Sequence, residues 1–388
     1  MSRPILVVSD LLPPKRGGLA DHTLMLARGL ARHRPVTVLT SPGADLQPGF
    51  TIRPTVRSWH DLRGLRKEFA RIPRETQILW QYVPHMYGRG GVNWTLPRLM
   101  ADLAQQGWPQ MVLAHEIVAD SSWHPVRAWY VWNQRRQWST ILRHADSVPI
   151  SCSRWLEDWS RRRPEAAGKF FTLPSPSNIP VVPIPEDHRS QWRQELGLPP
   201  GTPILAFFGS LGPGKHLDWI LGCWEECHRR GLDAALVIIG ASISISMPTH
   251  MANRFRALGY LSEDAVSRAL SAVDVLALPF MDGISERRTS IMAGLCHGTA
   301  VASTIGHATG AQLAKADWAS LSKIDDRNGF VSSVMDLLSD PEKQRRLGSA
   351  GRAQYLQHFD WPVIVDRILA NLPTGYPRPS PGSAPCVS

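Results

Sequence analysis

The chain has 388 residues, of which 43 % are hydrophobic and 20 % are charged, and its formal net charge at pH 7 is +10. This length favours two domains over one large core, and the ordinary globular balance excludes a disordered or fibrous chain. The sequence contains no apolar run long enough to predict a membrane-spanning helix, and the positive charge favours anionic partners such as nucleotide phosphates, nucleic acid or acidic lipid.

The N-terminal apolar run ends at Asp10. It predicts a strand rather than a secretory signal. The cysteines, at positions 152, 223, 227, 296 and 386, show no repeated spacing, which favours reduced thiols and a cytoplasmic protein. Cys223, Cys227 and His228 allow either a metal site or core packing. We favour packing, because free cysteine is usually buried and no second ligand cluster accompanies this one.

Short apolar runs alternate with amphipathic stretches through the first half of the chain. Strands are predicted at 5–9, 35–40, 78–83, 111–115 and 147–151. A helix is predicted after residue 20, and further helices at 59–71, 94–106, 125–144 and 153–163. This alternation predicts a parallel sheet covered by helices on both faces, and the uninterrupted apolar strands agree with burial on both sides.

The alternation stops at a proline-rich segment, 173–188, which we interpret as a linker, and then resumes. Strands are predicted at 203–210, 234–240, 257–261, 274–280, 299–304 and 320–324. Helices are predicted at 217–230, 263–272, 286–297, 327–338, 341–357 and 361–372. The pattern therefore predicts an α/β protein with two doubly wound, Rossmann-like domains facing across a cleft: an N-terminal domain at 1–172 and a C-terminal domain at 189–360.

Ligands of such sheets bind where strands end and helices begin, so three glycine- or histidine-bearing loops stand out. Gly17 and Gly18 precede a predicted helix, where backbone amides and the helix dipole favour a phosphate, although a plain turn is equally consistent with two glycines. Gly214 and Lys215 belong to a second glycine-rich turn that predicts an anion cradle without the Walker spacing. His115 ends an apolar strand, where it is either a hydrogen-bonding group of the site or a satisfied core residue.

The stretch DGISERRTS, 282–290, places charges at a strand-to-helix turn. Ser285 is predicted to cap a helix starting at Glu286, so that Arg287 and Arg288 stand in its first turn. Cations there oppose the helix dipole, and a bound diphosphate would compensate them. The alternative is a surface arginine pair bonded to Asp282 and Glu286.

Together these segments resemble the glycosyltransferases of family 4, which have the GT-B architecture. The resemblance extends to about residue 372. Its pieces, in order, are PPKRGGLADHTLMLARGLARH, VLAHE, PSNIPV, FFGSLGPGKHLDW, LVIIGAS, GYLSEDAVSRALSAVDVLALPF, DGISERRTSIMAGLCHGTAV and FDWPVIVDRILANL. This architecture implies that a C-terminal helix, 361–372, crosses back to the first domain, and that 373–388 forms a disordered tail.

The resemblance implies roles for individual positions. Gly17 and Gly18 approach the donor diphosphate and the acceptor, and His115 lies beside the donor sugar. Lys215 holds the phosphates, while the family's partner arginine is replaced by Ser210.

Two glutamates separated by seven residues in the family fall here at Ser285 and Ala293. We therefore expect Asp282 or Glu286 to contact the sugar and Arg287 or Arg288 to replace the missing arginine, in a branch marked by DG-x-S-x-RR. Catalytic residues are predicted at His115, Lys215, Glu286 and Arg288. Donor-binding residues are predicted at Gly17, Gly18, Ser210, Gly214, Tyr260, Asp282, Gly283, Ile284, Ser285, Arg287 and Thr289, with Tyr260 where the donor base often stacks.

The implied function is retaining, metal-independent hexosyl transfer from a nucleotide-diphosphate sugar to an acceptor hydroxyl, with no cofactor besides that co-substrate. The acceptor is open: a saccharide, a lipid-linked sugar or another small hydroxyl compound. Alternatives are a binding subunit that has lost turnover, because the glutamate pair is absent, or an epimerase of the same fold. No nucleic-acid recognition motif is present, so nucleic acid is not expected as a partner.

Tryptophan is abundant, with 15 residues, and several lie in the first half. Aromatic faces stack on sugars or hold apolar acceptors, but we expect most of these tryptophans to be core residues. The positive charge allows peripheral contact with an anionic inner membrane face, although no amphipathic anchor is evident in the sequence.

Overall fold

The computed structural model describes residues 3–15, 17–119, 123–212, 214–240 and 249–374. They form two compact units. Unit 1 comprises the residues up to Ser151, Trp155–Leu173 and the residues from Ile364 onward, and unit 2 comprises Cys152–Arg154 and Pro174–Val363. The predicted disordered tail lies outside the described residues from position 375 onward.

Unit 1 is built on a parallel sheet. Its strands are β1 (Ile5–Val8), β2 (Val36–Leu39), β3 (Thr51–Arg53), β4 (Gln77–Tyr82), β5 (Gln110–Ala114), β6 (Val148–Ile150) and β7 (Phe170–Thr172). They are ordered β3-β2-β1-β4-β5-β6-β7. Every residue of β1, β4 and β5 is buried, as the uninterrupted apolar runs predict. The strand order reverses between β1 and β4, which places the topological switch point of this sheet there.

The helices of unit 1 connect these strands. They are α1 (Gly18–Ala31), α2 (Arg63–Phe69), α3 (Pro84–Tyr87), α4 (Thr95–Gln105), α5 (Pro125–His144) and α6 (Ser153–Arg162). Proline is well placed in the first turn of α5, where an N–H has no helical partner. Trp138 and Ile141 are the core-facing side chains of α5 and are fully buried.

Unit 2 contains a second parallel sheet. Its strands are β8 (Ile204–Phe208), β9 (Ala235–Ile239), β10 (Phe255–Gly259), β11 (Val275–Leu278), β12 (Ala300–Ile305) and β13 (Ser320–Lys323). They are ordered β10-β9-β8-β11-β12-β13. The order reverses between β8 and β11, so the loops that follow these two strands flank the switch point.

The remaining helices are α7 (His188–Glu195), α8 (Leu217–Arg229), α9 (Thr249–Ala252), α10 (Glu263–Ala272), α11 (Thr289–Cys296), α12 (Arg327–Ser339), α13 (Pro341–His358) and α14 (Trp361–Asn371). Helix α14 begins in unit 2 and from Ile364 onward belongs to unit 1, as the predicted crossing helix requires. Gly29 of α1 allows this packing, because a Cβ there would lie 2.5 Å from Cγ2 of Val365.

The sequence prediction placed the start of α11 three residues too early. The helix begins at Thr289, and Arg288 occupies its N-cap position without a side-chain cap. Non-local hydrogen bonds keep the preceding backbone non-helical: the Ile284 N–H donates to the Thr304 carbonyl at 2.7 Å, and the Ser175 N–H donates to the Glu286 carbonyl at 3.0 Å. Ser285 therefore does not cap this helix.

Candidate functional site

The loops after β8 and β11 are joined at the switch point of unit 2. The Met281 N–H donates to the Gly214 carbonyl at 3.0 Å, and the His216 N–H donates to the Pro279 carbonyl at 2.9 Å. Lys215 and Phe280 form an isolated antiparallel bridge between these contacts. The two loops therefore form one backbone-bonded platform at the edge where parallel sheets bind ligands.

Lys215 lies on this platform over aromatic rings. Its Nζ is 4.8 Å from the ring centroid of Phe207 and 5.8 Å from that of Phe280, and it donates to the Ser210 carbonyl at 2.9 Å. Gly209 leaves room for the ammonium group, because a Cβ there would lie 3.0 Å from Nζ. Its φ of 116° is also a conformation that favours glycine.

Arg288 lies over the same ring from the other loop. Its Cζ is 4.4 Å from the ring centroid of Phe280, within cation–π range. Its Nη2 donates to Oδ1 of Asp282, and Nη2 of Arg287 donates to Oδ2 of that carboxylate at 3.2 Å. The arginine pair is therefore tethered to Asp282, as the alternative interpretation of the sequence predicted in part.

The charges of this cluster do not balance. Arg287 and Arg288 share the single carboxylate of Asp282, and Lys215 forms no ion pair within the described residues. Burial and the neighbouring Arg288 lower the pKa of Lys215 to about 8. Burial and Arg287 also lower the pKa of Arg288, whose buried Nε has no hydrogen-bond partner in the described chain. Proximity of like charges at a partly buried site favours binding of an anion.

Glu286 does not join the cluster. Its buried carboxylate accepts the Ser153 N–H at 3.3 Å, and no ion pair links it to either arginine among the residues described. The alternative interpretation, in which Asp282 and Glu286 both hold the arginines, is therefore wrong for Glu286. A contact between this carboxylate and a donor sugar would require it to leave Ser153.

Three predicted donor-binding residues form the buried wall behind the cluster. Gly283 has φ 92°, and a Cβ there would lie 2.3 Å from the Gly306 nitrogen, so this position requires glycine for close backbone approach. Ile284 is buried, and Ser285 is completely buried with an Oγ that has no partner in the described part of the chain. Thr289, half-buried, opens α11 beside this wall.

Tyr260 lies further along the same edge of the sheet. It follows Gly259, the last residue of β10, and its side chain is largely exposed. Because β9 separates β10 from β8, Tyr260 is two strands away from the Lys215 loop. Ser210 contributes its carbonyl to Lys215, and its side chain is exposed.

The corresponding edge of unit 1 carries a histidine pair. His115 follows β5, and its Nε2 hydrogen bonds to Oε1 of Gln81 on β4. With the amide oxygen toward the ring, Nε2 carries the proton and Nδ1 is an acceptor. The His115 ring meets the buried His22 of α1 edge to face, with centroids 4.6 Å apart.

Both imidazoles of this pair are neutral near pH 7. Burial lowers the pKa of His22 to about 4. Burial and, secondarily, His22 lower the pKa of His115 well below its ordinary value. A neutral imidazole hydrogen bonds a sugar hydroxyl but does not serve as a charged anchor for phosphate.

The glycine pair stands at the exposed start of α1. Gly17 is the N-cap residue with φ 137°, whereas Gly18 is the first helical residue. A Cβ on either glycine would meet no atom within 4 Å, so packing does not require these glycines, and only the conformation of Gly17 does. Lys15 in the same loop is neutralised by Asp10 at 2.7 Å.

Sequence reasoning missed four residues of these sites. His22 and Gln81 hold His115, and Phe207 and Phe280 support the cations. The one available signal was position: each phenylalanine lies at or just beyond a strand end. His22 lies one helical turn after Gly18, where a side chain faces the same edge.

The cysteines of α8 pack in the core of unit 2. Cys223 and Cys227 are fully buried, and Sγ of Cys227 lies 3.3 Å from Sδ of Met335. Burial raises the pKa of both thiols, to about 12 for Cys227. Within the described ranges, no three His, Cys, Asp or Glu residues are grouped as metal ligands, and no helix has the length and apolar character to cross a membrane.

Comparisons with known proteins agree with this geometry. Residues 202–340, which contain the whole Lys215–Arg288 cluster, match the family described as Glycosyl transferases group 1. A curated relative from Corynebacterium glutamicum, a GDP-mannose-dependent monoacylated alpha-(1-6)-phosphatidylinositol monomannoside mannosyltransferase, is 25 % identical. The alignment covers 97 % of this chain and 99 % of that protein.

Solved structures show the fold. Sucrose-phosphate synthase from Thermosynechococcus elongatus matches with a TM-score of 0.69 at 18 % identity, over 95 % of this chain and 98 % of that chain. Anabaena HepE in complex with UDP-glucose matches with a TM-score of 0.68 at 16 % identity, over 96 % of this chain and 99 % of that chain. The fold, with its two parallel-sheet α/β units, is therefore that of the GT-B glycosyltransferases.

Proposed function

We propose that this relative of the group 1 glycosyl transferases moves a hexose from a nucleotide-diphosphate sugar to an acceptor hydroxyl. The observation that carries the proposal is the incompletely compensated positive charge over Phe280, at the switch point of unit 2: Arg288 shares the Asp282 carboxylate with Arg287, and Lys215 has no ion pair within the described residues. A diphosphate matches that charge and the loop geometry. The family match over the same residues supports the assignment.

The chemistry requires stabilisation of a leaving diphosphate. As the bond from the anomeric carbon to the phosphate oxygen breaks, negative charge develops on the phosphate, and Lys215 and Arg288 neutralise it. A preorganised ammonium and guanidinium here supply the positive charge for this step, which is why we propose a metal-independent transfer.

We further propose that the anomeric configuration is retained by front-face attack. Asp282 is a poor nucleophile because both arginines hold its carboxylate. In the front-face route the acceptor oxygen bonds to the anomeric carbon on the side that the diphosphate leaves. The departing phosphate oxygen then accepts the acceptor's proton.

His115 has a positioning role in this proposal. Its neutral ring, oriented by Gln81, presents Nδ1 as an acceptor for a hydroxyl of the sugar. We also propose that Gly17 and Gly18 leave the start of α1 open for close approach of substrate.

The relatives suggest the first substrates to test. The Corynebacterium protein uses GDP-mannose and a phosphatidylinositol mannoside, so we propose GDP-mannose as donor and a lipid-linked mannoside as acceptor. HepE was solved with UDP-glucose, which makes UDP-glucose the comparison donor.

A binding subunit without turnover is the second candidate function. Ser285 and Ala293 replace the two carboxylates expected at these positions, and both are completely buried. A protein of this kind would hold the nucleotide through Lys215 and Arg288 without transferring the sugar.

One experiment separates the two functions. Nucleotide release from GDP-mannose and UDP-glucose is measured with and without mannoside acceptors, and GDP affinity is measured by calorimetry. In Lys215→Ala and Arg288→Ala we expect GDP affinity to fall by about 10- to 100-fold, because charged hydrogen bonds contribute about 1.5–3 kcal/mol each.

Arg346→Ala, which removes an exposed arginine from α13 in the same unit, is the matched control and should leave GDP affinity unchanged. Acceptor-dependent release supports transfer, and tight GDP binding without release on any acceptor supports the binding subunit. Unchanged GDP affinity in both site variants would remove the phosphate assignment.

A further inference from the structure

Nine of the 15 tryptophans are buried, as expected, but two tryptophans of α5 are exceptions. Trp80 is buried, but Trp129 is 55 % exposed and Trp132 is 52 % exposed. Trp123, immediately before the helix, is fully exposed, and Trp94 at the start of α4 is also exposed. Large exposed aromatic side chains grouped in this way are unusual on a monomer surface and indicate an interaction site.

The spacing along α5 explains the grouping. Val126, Trp129 and Trp132 are exposed at intervals of three residues, whereas Trp138 and Ile141 face the core. Side chains three or four positions apart share one face of a helix. The outer face of α5 is therefore aromatic in its first half.

The second half of this face is cationic. Arg135, Arg136 and Arg143 are all exposed, and Cζ of Arg136 lies 4.6 Å from the centroid of the Trp132 ring. A groove of about 360 Å³ lies between α5, the start of α4 and the end of α6. It is lined by Trp94, Trp132, Arg135, Arg136, Ser139, Thr140, Arg143 and Arg163. Four of these lining residues are arginines and none is acidic, although Arg163 is paired with Glu165 at 2.6 Å.

We propose that this α5 surface, made of Trp94, Trp129, Trp132 and the groove arginines, docks on an anionic lipid bilayer. Tryptophan is favoured at the boundary between acyl chains and headgroups, where its ring is partly buried and its N–H stays hydrated. Each arginine near an anionic lipid surface adds favourable electrostatic energy to the binding. The docking is peripheral, with aromatic rings in the interface and guanidinium groups on lipid phosphates.

Charge complementarity distinguishes a bilayer from a second copy of the chain. A two-fold interface would bring the same groove arginines against one another, and that repulsion disfavours self-association. A single-stranded nucleic acid also offers phosphates and stacking surfaces. Unlike a bilayer, a nucleic acid has no apolar layer into which three neighbouring tryptophans could insert. Binding of nucleic acid is therefore an outcome that the test must exclude.

Vesicle flotation tests the proposal on the full chain. Vesicles of phosphatidylcholine alone are compared with vesicles containing one part in three phosphatidylglycerol. We expect the wild type to partition at least tenfold more strongly to the anionic vesicles, with the difference shrinking at high salt because the charges are exposed.

The double variant W129S/W132S should lose at least tenfold in partitioning to the anionic vesicles. R136S/R143S, which removes two groove arginines, should lose the preference for anionic vesicles over neutral ones. The matched control, R345S/R346S with L356S, removes two exposed arginines and one exposed leucine from α13 of unit 2 and should stay within twofold of wild type.

GDP affinity and melting temperature of each variant, measured in parallel, verify that it is folded. Vesicle binding does not depend on sugar transfer. The docking proposal can therefore fail while the proposed function holds, and the proposed function can fail while the docking proposal holds. Three results overturn the proposal. The first is equal binding of wild type and W129S/W132S to anionic vesicles, and the second is that the double variants lose binding to a single-stranded RNA but keep binding to vesicles. The third is a wild-type dimer that both double variants dissociate.

Discussion

The two units share a doubly wound topology, but the side chains at corresponding places have different electrostatic character. In unit 1, the edge next to β4 carries His115 and His22, whose pKa values burial lowers so that both rings are neutral. In unit 2, the loops after β8 and β11 bring Lys215 and Arg288 together with incomplete compensation. The same strand reversal therefore places two chemically different sites.

The difference shows what the topology decides and what the side chains decide. Strand order determines where loops converge, because carboxyl ends of adjacent parallel strands meet at one edge. Burial then acts on whatever groups the loops carry. Burial disfavours the charged form of a histidine, which becomes neutral by losing its proton. A buried lysine beside an arginine is instead stabilised in its charged form when an anion binds.

The largest expected effect concerns Lys215 and alkaline pH. Its pKa in the ligand-free protein is about 8, and a bound diphosphate stabilises the protonated form, so binding takes up a proton above pH 8. GDP affinity should therefore fall by about tenfold per pH unit above that value. In Lys215→Arg the charge persists, and calorimetry at pH 7, 8 and 9 should show a shallower dependence than in wild type.

Ionisation of the guanine base affects both proteins equally, so only the difference between their slopes is diagnostic. Identical slopes would show that Lys215 does not hold the phosphates. The stability of the ligand-free protein has the opposite dependence. Between pH 8 and the higher pKa of an unfolded lysine the unfolded chain binds more protons, so stability rises with pH, and Lys215→Met should raise the melting temperature at pH 7.

The inner strands of both sheets and the edge strands of the second sheet were predictable, while the edge strands of the first sheet and the helix caps were not. Central strands such as Ile5–Val8 and Val275–Leu278 are buried on both faces and appear as continuous apolar runs. The edge strands Thr51–Arg53 and Phe170–Thr172 are short and partly exposed, so they carry no such pattern. Helix His188–Glu195 was missed because it directly follows the proline-rich segment.

The location of the site and the presence of Lys215 in it were predictable from the sequence. Which carboxylate pairs with the arginines was not. Glu286 and Asp282 look equivalent in the sequence, four residues apart beside the same arginines. Only the fold shows that Ser153 holds the first and that both arginines hold the second. Such choices depend on contacts between distant segments, and composition likewise gave no sign that Trp129 and Trp132 are exposed.

An intermediate effect is expected from the neutral pair in unit 1. The folded pKa of His22, about 4, lies below that of an unfolded histidine, so between pH 6.5 and 4 the unfolded chain binds more protons and stability falls as the pH falls. At pH 5 the loss from this residue is about 2 kcal/mol. His22→Asn should therefore show a smaller drop in melting temperature between pH 7 and pH 5 than wild type does.

The exposed His33 of the same unit provides the control: His33→Gln should keep the wild-type acid dependence. Acid dependence that is unchanged in His22→Asn would mean that the pair is not buried as a neutral unit. The electrostatic character of the unit 1 edge would then not differ from that of unit 2 in the way its burial indicates.

The smallest expected effect concerns Asp282, the carboxylate that tempers the cations of unit 2. In Asp282→Asn both arginines lose the carboxylate that they share, so GDP should bind about fivefold more tightly, a gain of roughly 1 kcal/mol. Asp336→Asn, which removes an exposed carboxylate 4.0 Å from Lys343 in the same unit, should leave GDP affinity unchanged.

If Asp282→Asn instead leaves GDP affinity unchanged and abolishes release from GDP-mannose, Asp282 contacts the donor sugar, as the sequence predicted. Weaker GDP binding would show that Asp282 is needed to orient the arginines. Calorimetry with GDP and a release assay with GDP-mannose, run on the same preparations, distinguish these three outcomes. GDP lacks the sugar, so loss of a sugar contact changes release from GDP-mannose without changing the affinity for GDP.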